Sequence, residues 1–299
     1  MGKTVAQKHP HLSLNFPRPR PPDRLQPGIC VALVISGAMM CGWRATRPDD
    51  LDDHTSSRNQ FVYRIFTSMS DAEIPLQGGR TTAAVVRVGQ TVRRPPRLTA
   101  EFVHVLLEHL AAVGFDGAPR FLGTDDKGRD ILSYIEGEVP ADLRWHKDEV
   151  LVAAAQLIRK FHDATVGLLG HQTGTPRRLE VVCHNDLSPC NSVFRDGFPV
   201  ALIDFDTAAP GTRLMDLGYA AWLWLDLGDP DIAPASASQE QRRRLQLFIA
   251  AYGDEISVSS IKEAIVYRQH LVAAEGEYTA RTAMARWARH CRNWTVENL

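Results

Sequence analysis

Five polar side chains crowd the stretch VVCHNDLSPCNSVFRDGFPVALIDFDTAAPG, residues 181–211: His184, Asp186, Asn191, Asp204 and Asp206. Each falls at the end of an apolar run or in a loop between two, so pairing the runs as strands can bring the five to one point. A loop carboxylate is a weak base in water, yet it can orient a hydroxyl and accept its proton as the oxygen attacks an electrophile. Asp186 is the candidate for that task. The amide oxygen of Asn191 and the carboxylate of Asp204 are hard ligands, suited to magnesium that keeps water and phosphate oxygens in its shell. A hydroxyl-orienting carboxylate beside a magnesium site points to phosphoryl transfer.

The surrounding elements have to position these residues. VVCH reads as a buried strand running into a turn, and NSVFRDG with PVALIDFD reads as a hairpin. Upstream, IPLQGGRTTAAVVRVGQTVRRPP from Ile74 reads as strand, turn, strand, strand, with glycines at 78 and 79 and a turn at Gly89 and Gln90. A helix follows in which Thr99 is expected as the cap, with Phe102, Val103, Leu106, Leu107 and Leu110 on one face and Gly114 ending it. A further hairpin runs through Phe121 and Leu122, a turn at 126–128, and Ile131 to Ile135. From Asp148 the spacing turns helical, with Val150, Val152, Leu157, Ile158 and Phe161 recurring at helical intervals. The predicted fold is α+β and two-lobed: a small antiparallel sheet with one helix over residues 69–139, and a larger, mostly helical lobe over 140–299. The cleft between them is the expected ligand site.

Composition narrows the partners. The 299 residues carry a net charge of -1, with no basic field to track nucleic acid and no charged tail, so no nucleic-acid partner is expected. Five scattered cysteines without a CxxC pair suggest neither a disulfide framework nor zinc, and fit a reducing, cytoplasmic setting. Residues 1–27 hold six prolines and five Lys or Arg against one Asp, a composition that opposes packing. The apolar run from Ile29 to Trp43 is short of a membrane span of about 20 residues. Residues 1–68 are therefore read as an extension lying outside the fold, with orderly patterning beginning at Met69.

From about residue 74 to the C-terminus, the chain resembles the aminoglycoside phosphotransferase family of the protein-kinase-like superfamily. His184, Asp186 and Asn191 match its H-x-D-x-x-x-x-N loop, and Asp204 in IDFD matches its metal-binding aspartate. The resemblance implies ATP and Mg2+ as cofactors and a small-molecule hydroxyl as acceptor. In that scheme Gly78, Gly79 and Arg80 lie near the phosphates, and Ser133, Tyr134 and Ile135 form the hinge that meets adenine. Asp206 holds a further face of the metal, His184 orders the loop by hydrogen bonding, and Asp216 braces it from the next helix.

Two features depart from the family pattern. The strand lysine that would hold the phosphates is replaced by Arg93, or by Arg94 if the register slips by one, which keeps the charge but changes its geometry. The helix glutamate expected to pair with it has no clear match: His104 stands near that position, with Glu101 and Glu108 on neighbouring turns. The acceptor side also lacks an acidic wall for a polycation, since residues 261–299 hold six Lys or Arg against four Glu. Tyr267, Tyr278, Trp287 and Trp294 are candidates to line a pocket for a less charged acceptor. A kinase-like scaffold with little or no turnover, acting by binding or immunity, is the alternative reading.

Overall fold

A computed structural model describes residues 72–76, 84–168, 179–232, 238–253 and 255–299, all within one compact unit, Gly42–Leu299. The expected extension, residues 1–68, and the glycine turn with Gly78, Gly79 and Arg80 lie outside the described residues.

The first lobe is a five-stranded antiparallel sheet with strand order β1-β2-β3-β5-β4. Its strands are β1 (Ile74–Pro75), β2 (Val86–Val88), β3 (Thr91–Arg94), β4 (Phe121–Thr124) and β5 (Asp130–Ser133). Helix α1 (Ala100–Ala112) buries Val103, Leu106, Leu107 and Leu110, the apolar stripe anticipated from their spacing. Each such side chain contributes roughly 1.5–3 kcal/mol when fully buried. Thr99 does not cap this helix: its side chain makes no cap hydrogen bond and its hydroxyl donates to the Asp206 carbonyl at 2.9 Å. A tertiary contact has taken the group that local propensity assigned to the helix end.

The connection to the second lobe passes through Gly137, whose φ is +153°. A Cβ there would stand 2.4 Å from the Phe194 carbonyl oxygen, so only glycine fits the close approach that lets Glu138 and Phe194 exchange backbone hydrogen bonds. Helix α2 (Asp148–Thr165) forms the spine of this lobe, burying Leu151, Ala154, Ala155, Ile158 and Phe161. Strand β6 (Val181–Cys183) pairs with β9 (Ala209–Gly211), and β7 (Ser192–Arg195) with β8 (Phe198–Leu202). Helix α3 (Arg213–Trp224) starts at Thr212, whose hydroxyl accepts the Met215 N–H. Helices α4 (Ser238–Tyr252), α5 (Val258–Tyr278) and α6 (Thr282–Asn298) complete it. Among the described residues no helix is long and apolar enough to cross a membrane.

Candidate functional site

The loop that carries His184 and Asp186 leaves β6 at Cys183 and is held from below by one carboxylate. Asp216 is fully buried on α3 and accepts the backbone N–H groups of His184 at 2.7 Å and Asn185 at 2.8 Å. His162 of α2 donates Nε2–H to the same carboxylate at 3.0 Å, and its Nδ1 meets the Tyr252 hydroxyl at 2.8 Å. Burial alone would raise the Asp216 pKa. The bond from His162, with the nearby His184 and Arg268, outweighs burial and lowers it, so the carboxylate stays ionised.

This bracing forces an unusual backbone. Asn185 has φ +65°, a left-handed conformation that asparagine tolerates better than most residues. Arg268 of α5 reinforces it, donating to the Asn185 carbonyl at 2.6 Å and to its side-chain oxygen at 3.3 Å. His184 is buried, and its Nε2–H donates to the Ile203 carbonyl at 3.0 Å. The imidazole is thus turned into the protein, bonded to the chain next to Asp204.

Asp186 is half-buried at the open end of the loop. Asn191 donates its Nδ2–H to Asp186 Oδ2 at 2.8 Å and to the Asp186 carbonyl at 3.0 Å, while the Tyr219 hydroxyl donates to Oδ1 at 2.9 Å. Both carboxylate oxygens are therefore aimed by neighbours. Tyr219 stands three residues after Asp216, one turn along α3, and Arg268 lies over its ring at 4.6 Å.

Asp204 opens the next turn in a left-handed conformation, φ +64°. Its pKa is raised, first by burial and then by the carboxylates of Asp206 and Asp186, against the opposing pull of His184 and Arg94. An adjacent cation would oppose that shift. Since the Asn191 amide nitrogen is committed to Asp186, its oxygen is the atom left for a metal, and with Asp204 it forms a hard-oxygen set that fits magnesium. Asp206 is placed differently: Oδ1 lies 2.6 Å from Arg94 and Oδ2 lies 3.4 Å from Arg97. Both of its oxygens already face arginines. Among the described residues, no three His, Cys, Asp or Glu side chains form a metal-binding group.

The arginine in the site is Arg94, not Arg93. Strand alternation puts them on opposite faces. Arg93 turns to the Thr91 hydroxyl at 2.6 Å and Asp125 at 3.8 Å, whereas Arg94 is buried against Asp130 at 3.6 Å, Asp204 at 3.7 Å and Asp206. Arg94 and Asp130 are direct cross-strand partners of β3 and β5, which is why they meet. His104, stacked on Phe121 at 3.8 Å, bonds the other oxygen of Asp130 at 2.8 Å. Neither helix glutamate is the main partner, for Glu101 and Glu108 are both exposed.

At the expected hinge, the Ser133 N–H donates to the Arg120 carbonyl and the Tyr134 N–H to the Gln90 carbonyl, both at 2.9 Å. Arg87 covers the Tyr134 ring at 3.7 Å. Ile135 lines a cavity of about 800 Å³ with His109, Lys160 and Arg195, whose lining includes neither Asp186 nor Asp204. Of the four candidate acceptor aromatics, Trp287 stacks on Trp222 at 4.7 Å and donates to Asp229, and Trp294 packs on the core, while Tyr267 and Tyr278 are exposed.

Residues 174–248 match the model of the phosphotransferase enzyme family, a segment that contains Asp186, Asn191, Asp204 and Asp216. The gentamicin complex of APH(2")-IIa aligns with a TM-score of 0.51 at 12% identity, covering 83% of this chain and 98% of that one. The GDP complex of aminoglycoside 2'-phosphotransferase-IIIa gives 0.50 at 14%, covering 81% and 98%. The chain has the fold of these aminoglycoside phosphotransferases. A trifolitoxin immunity protein of Rhizobium leguminosarum bv. trifolii is 37% identical over 178 residues, 55% of this chain and 66% of that protein, so the match spans just under two thirds of that relative.

Asp130, Tyr219, Arg97, Arg268 and His162 escaped the sequence reading as site residues. Only Tyr219 had a local signal, its one-turn spacing from Asp216.

Proposed function

We propose that the protein is an ATP-dependent phosphotransferase that moves the γ-phosphate to a hydroxyl of a small molecule. The observation that carries this reading is the aimed carboxylate of Asp186, held by Asn191 and Tyr219 beside the hard-oxygen pair of Asn191 and Asp204. Asp186 aligns the acceptor hydroxyl and takes its proton, and catalysis comes chiefly from positioning and charge neutralisation. Mg2+ on Asn191 and Asp204 would supply neutralisation of phosphate charge. Arg94, with its charge and its place in the site, is the phosphate-binding candidate in place of Arg93. With the Ser133 and Tyr134 N–H groups engaged, Ile135 is the hinge donor left for adenine.

The acceptor is read as weakly charged. Around Tyr219, the hydroxyl partner of Asp186, the α5 charges that act are Arg268, which is bonded to the loop, and Glu275, which Arg281 pairs. That is no surplus of acid to hold a polycation. The test is an ATP- and GTP-consumption screen across hydroxylated small molecules, with Asp186→Asn as the blank. Turnover that persists in that variant sinks the assignment.

The likeness to a trifolitoxin immunity protein favours a second reading, a kinase-like scaffold that binds without turnover. Thermal unfolding with millimolar ATP, with and without Mg2+, separates the two. Nucleotide at about 100 times its dissociation constant stabilises by about 2.7 kcal/mol, and an unmoved midpoint supports the scaffold.

A further inference from the structure

Arg94 ion-pairs with the expected metal carboxylate Asp204, with its neighbour Asp206 and with Asp130 across the sheet. Its guanidinium lies 3.6 Å from Asp130, 3.7 Å from Asp204 and 2.6 Å from Asp206. The contacts are close but poorly matched: Arg94 Nε, Asp130 Oδ2 and Asp206 Oδ1 are all buried without an aligned hydrogen bond. A guanidinium fork that neutralises carboxylates without bonding them in line keeps its donors available for a better acceptor. Phosphate oxygens match that fork.

We infer that Arg94 is an internal counter-ion for Asp204 and Asp206, neutralising the carboxylate a divalent cation needs until a nucleotide phosphate draws the guanidinium away, so that metal and nucleotide bind as a coupled pair. The inference rests on reading Asp204 as the metal carboxylate. The anchoring residues are built for such an exchange. Asp130 is held by His104 and by its place opposite Arg94 across the strands, so the arginine stem stays fixed while its head changes partner. Asp206 keeps Arg97 on its other oxygen, so it remains neutralised when Arg94 leaves. Asp204 has no other arginine partner among the described residues, and it is the carboxylate set free.

Mn2+ binding to the full chain, followed by electron paramagnetic resonance of the free ion, tests this without turnover. In the absence of nucleotide, Arg94→Met is expected to bind Mn2+ at least about tenfold more tightly than the parent, since a unit positive charge within 4 Å of the site is gone. The gain should vanish when Asp204→Asn is added. Arg94→Lys, which keeps the charge, and Arg93→Met, which lies on the other face, should bind like the parent. With a non-hydrolysable ATP analogue present, Mn2+ affinity should rise strongly in the parent and much less in Arg94→Met. A folded Arg94→Met, or Arg94→Gln should the first not fold, with unchanged or weaker Mn2+ binding overturns the counter-ion. So does an equal gain in Arg93→Met. The nucleotide-free arms are independent of the functional reading: tightened Mn2+ with no response to the analogue keeps the counter-ion but overturns its exchange for phosphate, and with it the phosphotransferase assignment.

Discussion

Two buried charge networks flank the candidate site, and they are finished to different degrees. Around Asp216 every bond is in line: two backbone N–H groups and the His162 ring converge on one carboxylate at 2.7–3.0 Å. Around Arg94 the charges balance, yet buried atoms on three residues lack aligned partners. A fully bonded network fixes one conformation, whereas an imperfect one in low dielectric stays responsive to whatever bonds it better. The first belongs to the scaffold of the loop, and the second to what the loop is proposed to bind.

The largest effect that tests this contrast is on stability. Asp216→Ala strands two backbone donors and His162 in the interior, and about 3–5 kcal/mol should be lost. For a chain of this size that is a fall in Tm on the order of 10 °C. Asp130→Ala, on the unfinished side, should lower Tm by less, because its removal breaks one aligned bond. Equal losses in the two variants would erase the distinction between the networks.

Next in size is turnover. Asp186→Asn keeps shape and loses the proposed proton acceptor, so the rate should drop about 100-fold with ATP affinity nearly unchanged. Tyr219→Phe removes one aiming bond and should cost a few-fold, on the order of 1 kcal/mol. A Tyr219→Phe loss as deep as that of Asp186→Asn would make the tyrosine a participant in the reaction.

A smaller effect separates the two arginines. Arg94→Ala should weaken ATP binding by about tenfold or more, the scale of a charge-assisted bond, with Arg93→Ala close to the parent. Titration of nucleotide against intrinsic fluorescence reads this directly. The reverse ranking would mean that the phosphates approach the sheet from the Thr91 and Asp125 side.

The same contrast explains what the sequence disclosed. The H-x-D-x-x-x-x-N spacing, the Asp204 hairpin and the limits of α2 follow from local pattern, because strand ends and an apolar stripe are written in consecutive residues. The choice between Arg93 and Arg94 depends on which face of β3 meets the other lobe, and local pattern is silent on that. Asp130 reads as an ordinary residue beside a turn until β5 pairs with β3 and sets it opposite Arg94. Arg268 is one of the six cations counted over residues 261–299, and its guanidinium is engaged by the carbonyl of Asn185, 83 residues away in sequence. Long-range partners of buried charges were the illegible part. The fold itself, whose signals are apolar and periodic, was not.

The smallest effect concerns a third buried carboxylate, distant in role from both networks. Asp226 follows α3 with both oxygens buried and without a hydrogen-bond partner. Burial, then Asp229, push its pKa up to about 8 against the opposing charge of Arg244. Between its unfolded value near ~3.9 and about 8, the folded protein holds a proton that the unfolded chain lacks, so stability falls as pH rises across that window. His146 works in the opposite direction. Burial, then Arg144 and Arg244, lower its pKa to about 4, so its contribution to stability grows from there to about 6.5. The two oppose each other below that point and Asp226 acts alone above it. Asp226→Asn keeps the shape and removes the titration, so the decline in Tm of the parent between about pH 6.5 and 8 should flatten, by about 1 kcal/mol or more. Parallel curves for parent and variant would mean that the carboxylate finds a partner in solution and does not hold a proton across that window.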